Sequence, residues 1–484
     1  MYDAIIIGAG ISGLVSACYL AKAGLKTLVI EAQEHAGGCC SYFHRNGFEF
    51  DSGAHSLGSF RQGGQFYRVF SELGISNGLL IKRAQPSDSV IFSNFQVNFV
   101  GNYNQDLDTL CGHFPIERLA IKTFLDEVAG FDINDPQVIA RYYLRYRDQS
   151  FQKVLDSFFL SSQIKSIFCT FLGNSGLPSS RIAALAAFAL LREFVFDGGY
   201  FVDGGMRRFI DLLLQLFKSN GGEVRLATPA QRILTENGAV TGVITGNKNV
   251  LSSKVVISSA SPMQTFGRLL EGFGWNQKNS LESLSPSVSA FIVYVGMKGS
   301  PPVSGDWGRT VWYVPSGEPN ACFETTFLGQ IDTAVTVLLA AFPSKYDPSL
   351  APMGHSTVTL FVTAPFLSRP LWTENRGDLQ RAILARAEEL MPGFSSKIEF
   401  LETATPHTIE RYTSNEGGAI YGLASTLDQY RPSIMPQRTG VKGLYLTGHW
   451  TTSGVGQGGT PMAAFSGRRV AKIVIKQMLG KVVT

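Results

Sequence analysis

The chain has 484 residues, of which 44% are apolar and 17% are charged, and its formal net charge is +4. A chain of this length exceeds what one hydrophobic core ordinarily organises, so we expect at least two domains. The small net charge and the absence of a basic run exclude nucleic acid as an expected partner, and no apolar stretch reaches the roughly eighteen residues that predict a membrane-spanning helix.

The cysteine and histidine patterns predict neither a metal site nor a disulfide framework. The six cysteines include no C-x-x-C pair, and the seven histidines show no zinc-type spacing. The first residues read as an apolar strand rather than as a signal peptide. We therefore expect no metal, reduced thiols and a cytoplasmic location.

The chain begins with the pattern of a dinucleotide-binding βαβ unit. An apolar strand leads into a G-x-G-x-x-G motif, a helix follows, and a second apolar strand ends at Glu31. In this motif Gly8 allows a tight turn, Gly10 lets the backbone approach a pyrophosphate, and Gly13 lets the helix pack against the strand. The helix N-terminus offers N–H groups to phosphates, and Glu31 can accept hydrogen bonds from ribose hydroxyls. The residues predicted at this site are Gly8, Ala9, Gly10, Ile11, Ser12, Gly13, Glu31 and Ala32.

Two segments of small residues follow. The first is a glycine and cysteine loop that can lie against a phosphate or a ring, and the second ends a short strand over 48–50. Cys39 and Cys40 are interpreted as small packing residues, because no cation stands nearby in the sequence to activate a thiol. The candidate binding residues of both segments are Gly37, Gly38, Cys39, Cys40, Gly53, Ala54 and His55.

The next part of the chain becomes helical. Residues 66–73 predict a helix, residues 85–104 predict a hairpin with its turn at 93–94, and residues 107–197 are largely helical and rich in aromatic side chains. The apolar segment 182–191 is too short to span a bilayer. It is interpreted as a buried core helix, and the alternative is a wall of a lipid-sized channel or a contact with a membrane interface.

Residues 200–261 return to alternating helix and strand. A helix over 209–218 precedes a strand at Val224, which is followed by a hairpin with its turn at 237–238. A further apolar strand ends near Ala260.

Consecutive strands are predicted between residues 287 and 363, where β-branched and aromatic residues alternate. Strands in a row, including one over 321–327, predict an antiparallel or mixed sheet. Lys298, just after the first of these strands, is interpreted as a solvated turn residue. An amphipathic helix over 378–391 follows.

The closing part of the chain contains a second glycine-rich turn. A strand that begins near residue 443 runs into this turn, and a last helix is predicted over 460–479. A glycine-rich turn at a helix N-terminus offers backbone donors to an electron-rich group. The candidate binding residues here are Gly448, His449, Gly456, Gln457 and Gly458.

Three of these segments together resemble the superfamily of FAD-dependent amine oxidases, phytoene desaturases and carotenoid isomerases. They are residues 8–55, the segment around 200–224, and the run of 456–467 that reads GQG followed by AFSG. The resemblance implies non-covalently bound FAD. It places Glu31 at the adenosine ribose, the glycine pair at the pyrophosphate and the segment before His55 beside the flavin ring. It further implies that Val224 and Ala260 approach the dinucleotide, and that the C-terminal turn meets the N1–C2=O2 edge of the flavin.

Two positions depart from the family pattern. Amine oxidases usually follow the glycine pair with arginine, where this chain has Cys39, and carotenoid-type members often place a small residue there. The family usually has Asp or Glu after the glycine of the C-terminal turn, where this chain has His449. An imidazole can still donate to ribityl or phosphate oxygens, but the usual acidic contact is missing.

The expected fold class is α/β, with a Rossmann-type FAD-binding domain, a mixed-sheet substrate domain and a helical, aromatic-rich section. The resemblance assigns residues 1–85, 200–270 and 430–484 to a discontinuous FAD-binding domain. It assigns residues 86–199 and 271–429 to the substrate domain.

The resemblance implies first a desaturase of the phytoene desaturase type, in which oxidised FAD takes hydride from an apolar polyene or isoprenoid. Cis–trans isomerisation by reduced FAD and saturation of a conjugated double bond are the alternatives, and amine oxidation is the alternative with another substrate class. His55 is the candidate catalytic residue. The expected partners are a hydrophobic small molecule, an external electron acceptor and a peripheral membrane surface, and the sequence predicts no oligomeric state.

Overall fold

A computed structural model describes residues 1–75, 81–270, 281, 283–431, 434–451 and 459–480. The strands are β1 (Ala4–Ile7), β2 (Thr27–Ile30), β3 (Tyr42–Arg45), β4 (Phe48–Asp51), β5 (Ile81–Arg83), β6 (Asp88–Phe92), β7 (Gln96–Phe99), β8 (Tyr200–Val202), β9 (Glu223–Arg225), β10 (Ala230–Glu236), β11 (Ala239–Thr245), β12 (Val250–Ser252), β13 (Val256–Ser258), β14 (Ser289–Lys298), β15 (Thr310–Val314), β16 (Leu338–Ala341), β17 (His355–Ala364), β18 (Ile398–Ala404) and β19 (Leu444–Leu446).

The helices are α1 (Ile11–Lys22), α2 (Gln65–Leu73), α3 (Tyr103–His113), α4 (Arg118–Ala129), α5 (Pro136–Tyr146), α6 (Phe151–Phe158), α7 (Ser162–Thr170), α8 (Ala184–Leu190), α9 (Gly205–Ser219), α10 (Pro262–Gln264), α11 (Pro319–Phe327), α12 (Pro343–Tyr346), α13 (Arg369–Leu390), α14 (Pro406–Thr413) and α15 (Thr460–Leu479). Helix α8 continues into a π-helical turn over Leu191–Val195.

The first sheet contains five parallel strands in the order β19–β13–β1–β2–β9. Side chains of β1 alternate between the two faces of the sheet. Ile6 packs with α1, α2, α9 and α15, whereas Ile5 and Ile7 pack with the meander β10–β11–β12 on the other face. Strands that are buried on both faces consist of continuous apolar residues. For this reason the sequence predicts the βαβ unit correctly.

The second large sheet has seven strands in the order β18–β14–β17–β16–β15–β6–β7. Neighbouring strands are antiparallel except β15 and β6, which run parallel. The sheet is therefore mixed, as predicted. Helix α13 packs on one face, where the rings of Phe291 and Trp372 stack at 5.7 Å, and the helical section α3–α8 packs on the other.

One predicted strand is wrong. Residues 321–327 belong to helix α11, which begins with Pro319 at its first position. A proline there has the φ that a helix start requires and loses no hydrogen bond. Cys322, Phe323 and Thr326 are buried on one face of this helix, so helical packing overrides the β propensity of the segment.

The helical section α3–α8 encloses an aromatic core. Phe188 of α8 is fully buried and contacts the rings of Tyr142 and Tyr146 at centroid distances of 5.9 and 4.9 Å. Helix α8 is thus a buried core helix over most of its length. Among the helices that the structure describes, none combines the length and the apolar character needed to cross a bilayer.

The strands of the five-stranded sheet and the strands of the seven-stranded sheet come from different parts of the chain. The first set lies within residues 4–30, 223–258 and 444–446, and the second within residues 88–99 and 289–404. The fold is α/β with a Rossmann-type sheet, a mixed sheet and a helical section, and the predicted fold class is confirmed. The exact domain limits stay a prediction.

Candidate functional site

A cavity of about 420 Å³ lies where the carboxyl ends of the parallel strands face the seven-stranded sheet. Ligands of open parallel sheets bind at such strand ends. Most of the residues predicted to bind a cofactor line this cavity. They are Gly8, Gly10, Ile11, Ser12, Glu31, Ala32, Gly37, Gly38, Cys39, Cys40, Gly53, Ala54, His55, Ala260, Gly448 and His449.

Glu31 is held in place at one end of the cavity. Its Oε2 accepts a hydrogen bond of 2.7 Å from the N–H of Ala9, and its Oε1 accepts one of 2.9 Å from the N–H of Gln33. Each carboxylate oxygen has further lone pairs. Glu31 therefore both ties the glycine loop to the end of β2 and keeps acceptor capacity for hydroxyl groups of a ligand.

The glycine loop leaves a space that the protein does not fill. A Cβ placed on Gly10 would meet no protein atom within 4 Å, although Gly10 pairs with Gly37 across the loop. A Cβ on Gly13 would instead lie 2.1 Å from the carbonyl oxygen of Gly8. The space at Gly10 is thus available to a ligand group beside the N-terminus of α1, where N–H groups favour phosphate, whereas Gly13 is required for packing.

The two cysteines of the glycine loop are structural. The Sγ of Cys39 accepts a hydrogen bond of 3.6 Å from Nδ2 of Asn415, and the Sγ of Cys40 lies 3.6 Å from Oγ1 of Thr460. Burial raises the pKa of Cys39 to about 11 and the pKa of Cys40 to about 12. Both thiols stay protonated at neutral pH, so neither is an activated nucleophile.

His55 forms part of the cavity wall between the two sheets. Its ring lies 5.0 Å from the ring of Phe361, and its Nδ1 lies 3.3 Å from the carbonyl oxygen of Gly53. Burial and the nearby Arg309 lower the pKa of His55 to about 4. The imidazole is therefore neutral at physiological pH, and because a carbonyl oxygen only accepts, the Nδ1 is the protonated nitrogen when this bond forms.

Arg309 is the residue before β15, and its side chain binds the backbone of His55. It is 3% exposed, its Nη1 donates to the carbonyl oxygen of His55, and its guanidinium lies 5.0 Å from the ring centroid of Phe201. The carboxylates of Asp51, Asp88 and Asp347 attract it electrostatically. Burial raises the pKa values of Asp51 and Asp88 to about 6. Arg309 is thus the cation that this set of acids shares.

The C-terminal turn approaches the same cavity from β19. The N–H of Gly448 donates to Oγ of Ser466 at 2.9 Å, and the ring of His449 lies 5.6 Å from that of Trp450. Burial lowers the pKa of His449 to about 4, so the residue that departs from the family pattern is neutral and carries no negative charge. Gly456, Gln457 and Gly458, also predicted at this turn, lie outside the described residues.

The far end of the cavity is apolar and aromatic. It is lined by side chains from the seven-stranded sheet, from the residue before β16 and from α11. These are Ile292, Trp312, Phe323, Val337, Leu339 and Phe361. A second cavity of about 80 Å³ adjoins it, and Asn174, Phe194 and Tyr421 line both. Ala186 and Ala189 line the second cavity, so α8 is a core helix that also borders the apolar space.

Of the predicted binding residues that the structure describes, three do not line the cavity. Ala9 and Gly13 shape the loop from behind. Val224 pairs with Val29 within the sheet, and Pro229 and Ala230 line the cavity on that side instead. The predicted contact of Val224 with the dinucleotide stays a prediction, and the position of Val224 within the sheet does not support it.

The apolar wall residues and Arg309 were not predicted as site residues. The strand pattern indicated that Trp312 and Phe361 lie in a sheet, but not which face of the sheet borders the cavity. Lys298 is the exposed last residue of β14, where it pairs with His355, and it is absent from the cavity wall; it is solvated, as expected, but it belongs to the strand and not to a turn. Among the residues that the structure describes, no group of metal-ligating side chains is found.

The chain belongs to the family of flavin containing amine oxidoreductases, whose family model matches residues 11–475. It is therefore an FAD-dependent oxidoreductase. The chain is 26% identical over 501 residues to all-trans-retinol 13,14-reductase of Rattus norvegicus, a match that covers 92% of this chain and 82% of the relative. It is also 26% identical over 509 residues to prolycopene isomerase 2, chloroplastic, of an Oncidium hybrid cultivar, with 96% and 82% covered. The resemblance to carotenoid-related members of the superfamily is confirmed.

Solved structures show the same fold at lower sequence identity. An oxidoreductase from Methanosarcina mazei has a TM-score of 0.69 and 20% identity, and the match covers 96% of this chain and 99% of that one. Putrescine oxidase, solved with putrescine bound, has a TM-score of 0.67 and 16% identity, with 98% and 99% covered. These structures establish the fold and not the substrate.

The cofactor of this family is FAD, as predicted. The residues present fit it, because the unfilled space at Gly10 adjoins the phosphate-binding end of α1 and Glu31 keeps acceptors free for ribose hydroxyls. Glycine backbone and the neutral His55 border the route from there to the apolar end.

Replacing Glu31 with alanine is expected to weaken FAD binding by about 1–3 kcal/mol, the scale of hydrogen bonds to a charged group that are lost. Glu31→Gln is expected to lose less, because its amide oxygen still accepts one bond. Titration of apoprotein with FAD, followed by flavin fluorescence, measures the dissociation constants. Glu34→Ala is the control, because Glu34 is exposed. Equal affinity of Glu31→Ala and Glu34→Ala would contradict the ribose assignment.

Proposed function

We propose that this enzyme uses FAD to change double bonds of an apolar polyene, by cis–trans isomerisation or by saturation of a conjugated C=C bond. The observation that supports the proposal is the wall of the apolar end. Trp312, Phe323 and Phe361 supply aromatic faces there, which pack well against a flat conjugated chain. Glu31 is the one residue with a formal charge at neutral pH among the described residues that line the larger cavity, and it lies at the dinucleotide end.

The names of the relatives favour reactions at existing double bonds over desaturation. One relative is named for reduction of all-trans-retinol at positions 13 and 14, and another for isomerisation of prolycopene. Both names denote a change at a C=C bond that is already present. Desaturation of an isoprenoid needs the same cavity and the same cofactor, so it is the competing outcome of the test below.

Bound FAD supplies hydride or electron transfer. The chain would hold the substrate in the apolar end of the cavity, which fixes its distance from the cofactor. Saturation consumes one hydride and one proton. The neutral His55 donates its Nδ1 proton to Gly53 and carries none on Nε2, so it would orient a proton-donating group by accepting a hydrogen bond, and the proton itself would come from solvent. Arg309 fixes the backbone of His55 and acts as a positioning residue.

Amine oxidation is less well supported. A protonated amine would need a counter-ion or a set of acceptors in a low-dielectric pocket, and the described residues of the apolar end include no carboxylate. The likeness to putrescine oxidase rests on 16% identity and shows the fold alone. The external electron acceptor or donor, the peripheral membrane contact and the cytoplasmic location also remain predictions.

Anaerobic turnover tests the proposal. The purified holoenzyme is mixed with an all-trans or poly-cis polyene in detergent micelles, once with oxidised flavin and once after photoreduction. We expect a geometric isomer or a product with a shorter conjugated system only in the reduced sample. Flavin bleaching with a longer conjugated product in the oxidised sample would establish desaturation. Turnover of amines with no change in polyenes would overturn the proposal.

A further inference from the structure

Three large aliphatic side chains project from one tip of the helical section. Ile116 is 100% exposed, Leu160 is 94% exposed and Leu119 is 78% exposed. Ile116 lies in the turn that precedes α4, Leu119 in the first turn of α4, and Leu160 between α6 and α7. We call these three residues the aliphatic tip. Leucine and isoleucine are ordinarily buried, and single exposed ones need no explanation, whereas a cluster marks an interaction surface.

The aliphatic tip is held together by Glu117. Its Oε2 accepts a hydrogen bond of 2.9 Å from the N–H of Leu160, and its Oε1 accepts one of 2.8 Å from the N–H of Ser161. Glu117 follows Ile116 directly in the chain, so this carboxylate brings the loop of Leu160 against the start of α4. Ser161 in turn caps α7. The backbone that carries the three side chains is therefore fixed by hydrogen bonds.

We infer that the aliphatic tip inserts into the surface of a lipid bilayer and docks the enzyme there. The inference rests on the proposed function, since a polyene substrate is dissolved in lipid. Three aliphatic side chains expose only a few hundred Å², well below the roughly 800 Å² per partner that a stable protein interface needs. Fully projecting side chains also form no concave surface that would suit a protein partner. A bilayer surface needs no shape complementarity, and a few inserted side chains contribute to binding in proportion to the apolar area that they bury.

The charges beside the aliphatic tip balance one another. Lys122 pairs with Asp126 at 2.6 Å, and Lys165 pairs with Asp156 at 2.6 Å. Arg118, within the tip sequence, has no carboxylate partner in the part of the chain that the structure describes, and it can place its guanidinium among lipid headgroups while its stem stays apolar. Because the site is close to neutral, insertion of apolar surface and not attraction to anionic lipid is expected to dominate binding.

The tip connects to the apolar end of the cavity through packed apolar residues. Ile121 and Phe124 of α4, which bears Leu119, belong to the same buried cluster as Phe188 of α8 and Trp312. Trp312 lines the cavity, and the neighbours of Phe188 in α8 line the smaller one. The tip is therefore carried by the helical section that packs against the apolar end of the cavity.

Flotation with liposomes tests the inference. The FAD-loaded enzyme is mixed with phosphatidylcholine vesicles, with and without 0.5 M salt. We expect the wild type to float in both, and the triple variant Ile116→Gln, Leu119→Gln, Leu160→Gln to bind at least about tenfold more weakly. Met353→Gln is the matched control, because Met353 is 97% exposed outside the tip, and it is expected to bind like the wild type. Flavin content and melting temperature report that each variant is folded.

Three results would overturn the inference. The first is a wild type that stays with the aqueous phase, the second is equal loss of binding in the Met353→Gln control, and the third is self-association, seen by light scattering, that the triple variant abolishes. Polyene turnover in micelles separates this inference from the proposed function. Turnover without flotation refutes the docking surface alone, and flotation without turnover of any polyene refutes the proposed function alone.

Discussion

Gly10→Val is expected to give a folded protein that purifies with less than about one tenth of the flavin of the wild type. Gly10 has φ −71° and ψ 175°, a conformation that any residue adopts. A side chain there would meet no protein atom within 4 Å of its Cβ. The substitution therefore leaves the backbone unstrained, and its branched side chain occupies the space that a pyrophosphate needs.

Gly13→Val is the informative comparison for that result. Its Cβ would lie 2.1 Å from the carbonyl oxygen of Gly8, so we expect the fold itself to be lost or strongly destabilised. Flavin absorbance per protein, circular dichroism and thermal melting distinguish the two cases. The reference for melting is wild-type apoprotein, because bound FAD stabilises by mass action. A Gly10→Val protein with a full complement of flavin would refute the assignment of the phosphate site.

Arg309→Met is expected to lower the free energy of unfolding by about 3–5 kcal/mol at pH 7, the scale for removal of one partner from a buried ionic cluster. The variant leaves Asp51 and Asp88 without the cation that they share, and it frees the backbone of His55. We therefore also expect weaker flavin retention. Chemical denaturation of apoprotein measures the first effect, and FAD titration measures the second.

The effect of Arg309→Met depends on pH in a defined direction. The wild-type pKa values of Asp51 and Asp88 are raised to about 6, so these acids contribute stability below their unfolded pKa values near 4 that is lost as the pH rises through 6. Without the cation their pKa values rise further. The stability difference between variant and wild type should hence be largest above pH 7 and shrink towards pH 5.

Arg181→Met is the control for the loss of an arginine. Arg181 forms a close ion pair with Glu324, with Nη2 and Oε1 2.6 Å apart, but the two side chains are 40% and 34% exposed. Such a pair contributes up to about 1 kcal/mol. Equal destabilisation by the two substitutions, or a pH-independent loss for Arg309→Met, would contradict the role assigned to the buried cluster.

The parts of the site that the sequence predicted are those in which one short segment carries the whole signal. The glycine motif, its flanking strands and Glu31 lie within one βαβ unit, where local periodicity and turn chemistry are sufficient. The hairpin β10–β11 is also predicted from one short segment. Its tight turn requires positive φ values, and Asn237 and Gly238 adopt them.

The parts that the sequence did not predict depend on contacts between distant segments. Arg309 owes its role to neighbours at Asp51 and Asp88, more than two hundred positions earlier in the chain. Likewise, Phe361 and Trp312 border the cavity because their side chains lie on the face of the seven-stranded sheet that is turned towards it. Both faces of these strands carry apolar residues, so the sequence alone does not indicate which face borders the cavity. The β propensity of segment 321–327 predicts a strand, whereas Pro319 starts a helix there.

The cradle for the dinucleotide combines segments that lie far apart in the sequence. Strand β13 lies between β1 and β19, and the backbone of Gly467 in α15 packs so closely on α1 that an added Cβ would lie 2.4 Å from the carbonyl oxygen of Ser12. On the ribosome, where the N-terminal part emerges first, the glycine loop therefore lacks part of its surroundings until α15 has been synthesised and has packed against α1. We therefore expect FAD to bind only once α15 is in place, so a truncated product that stops short of α15 should purify without flavin.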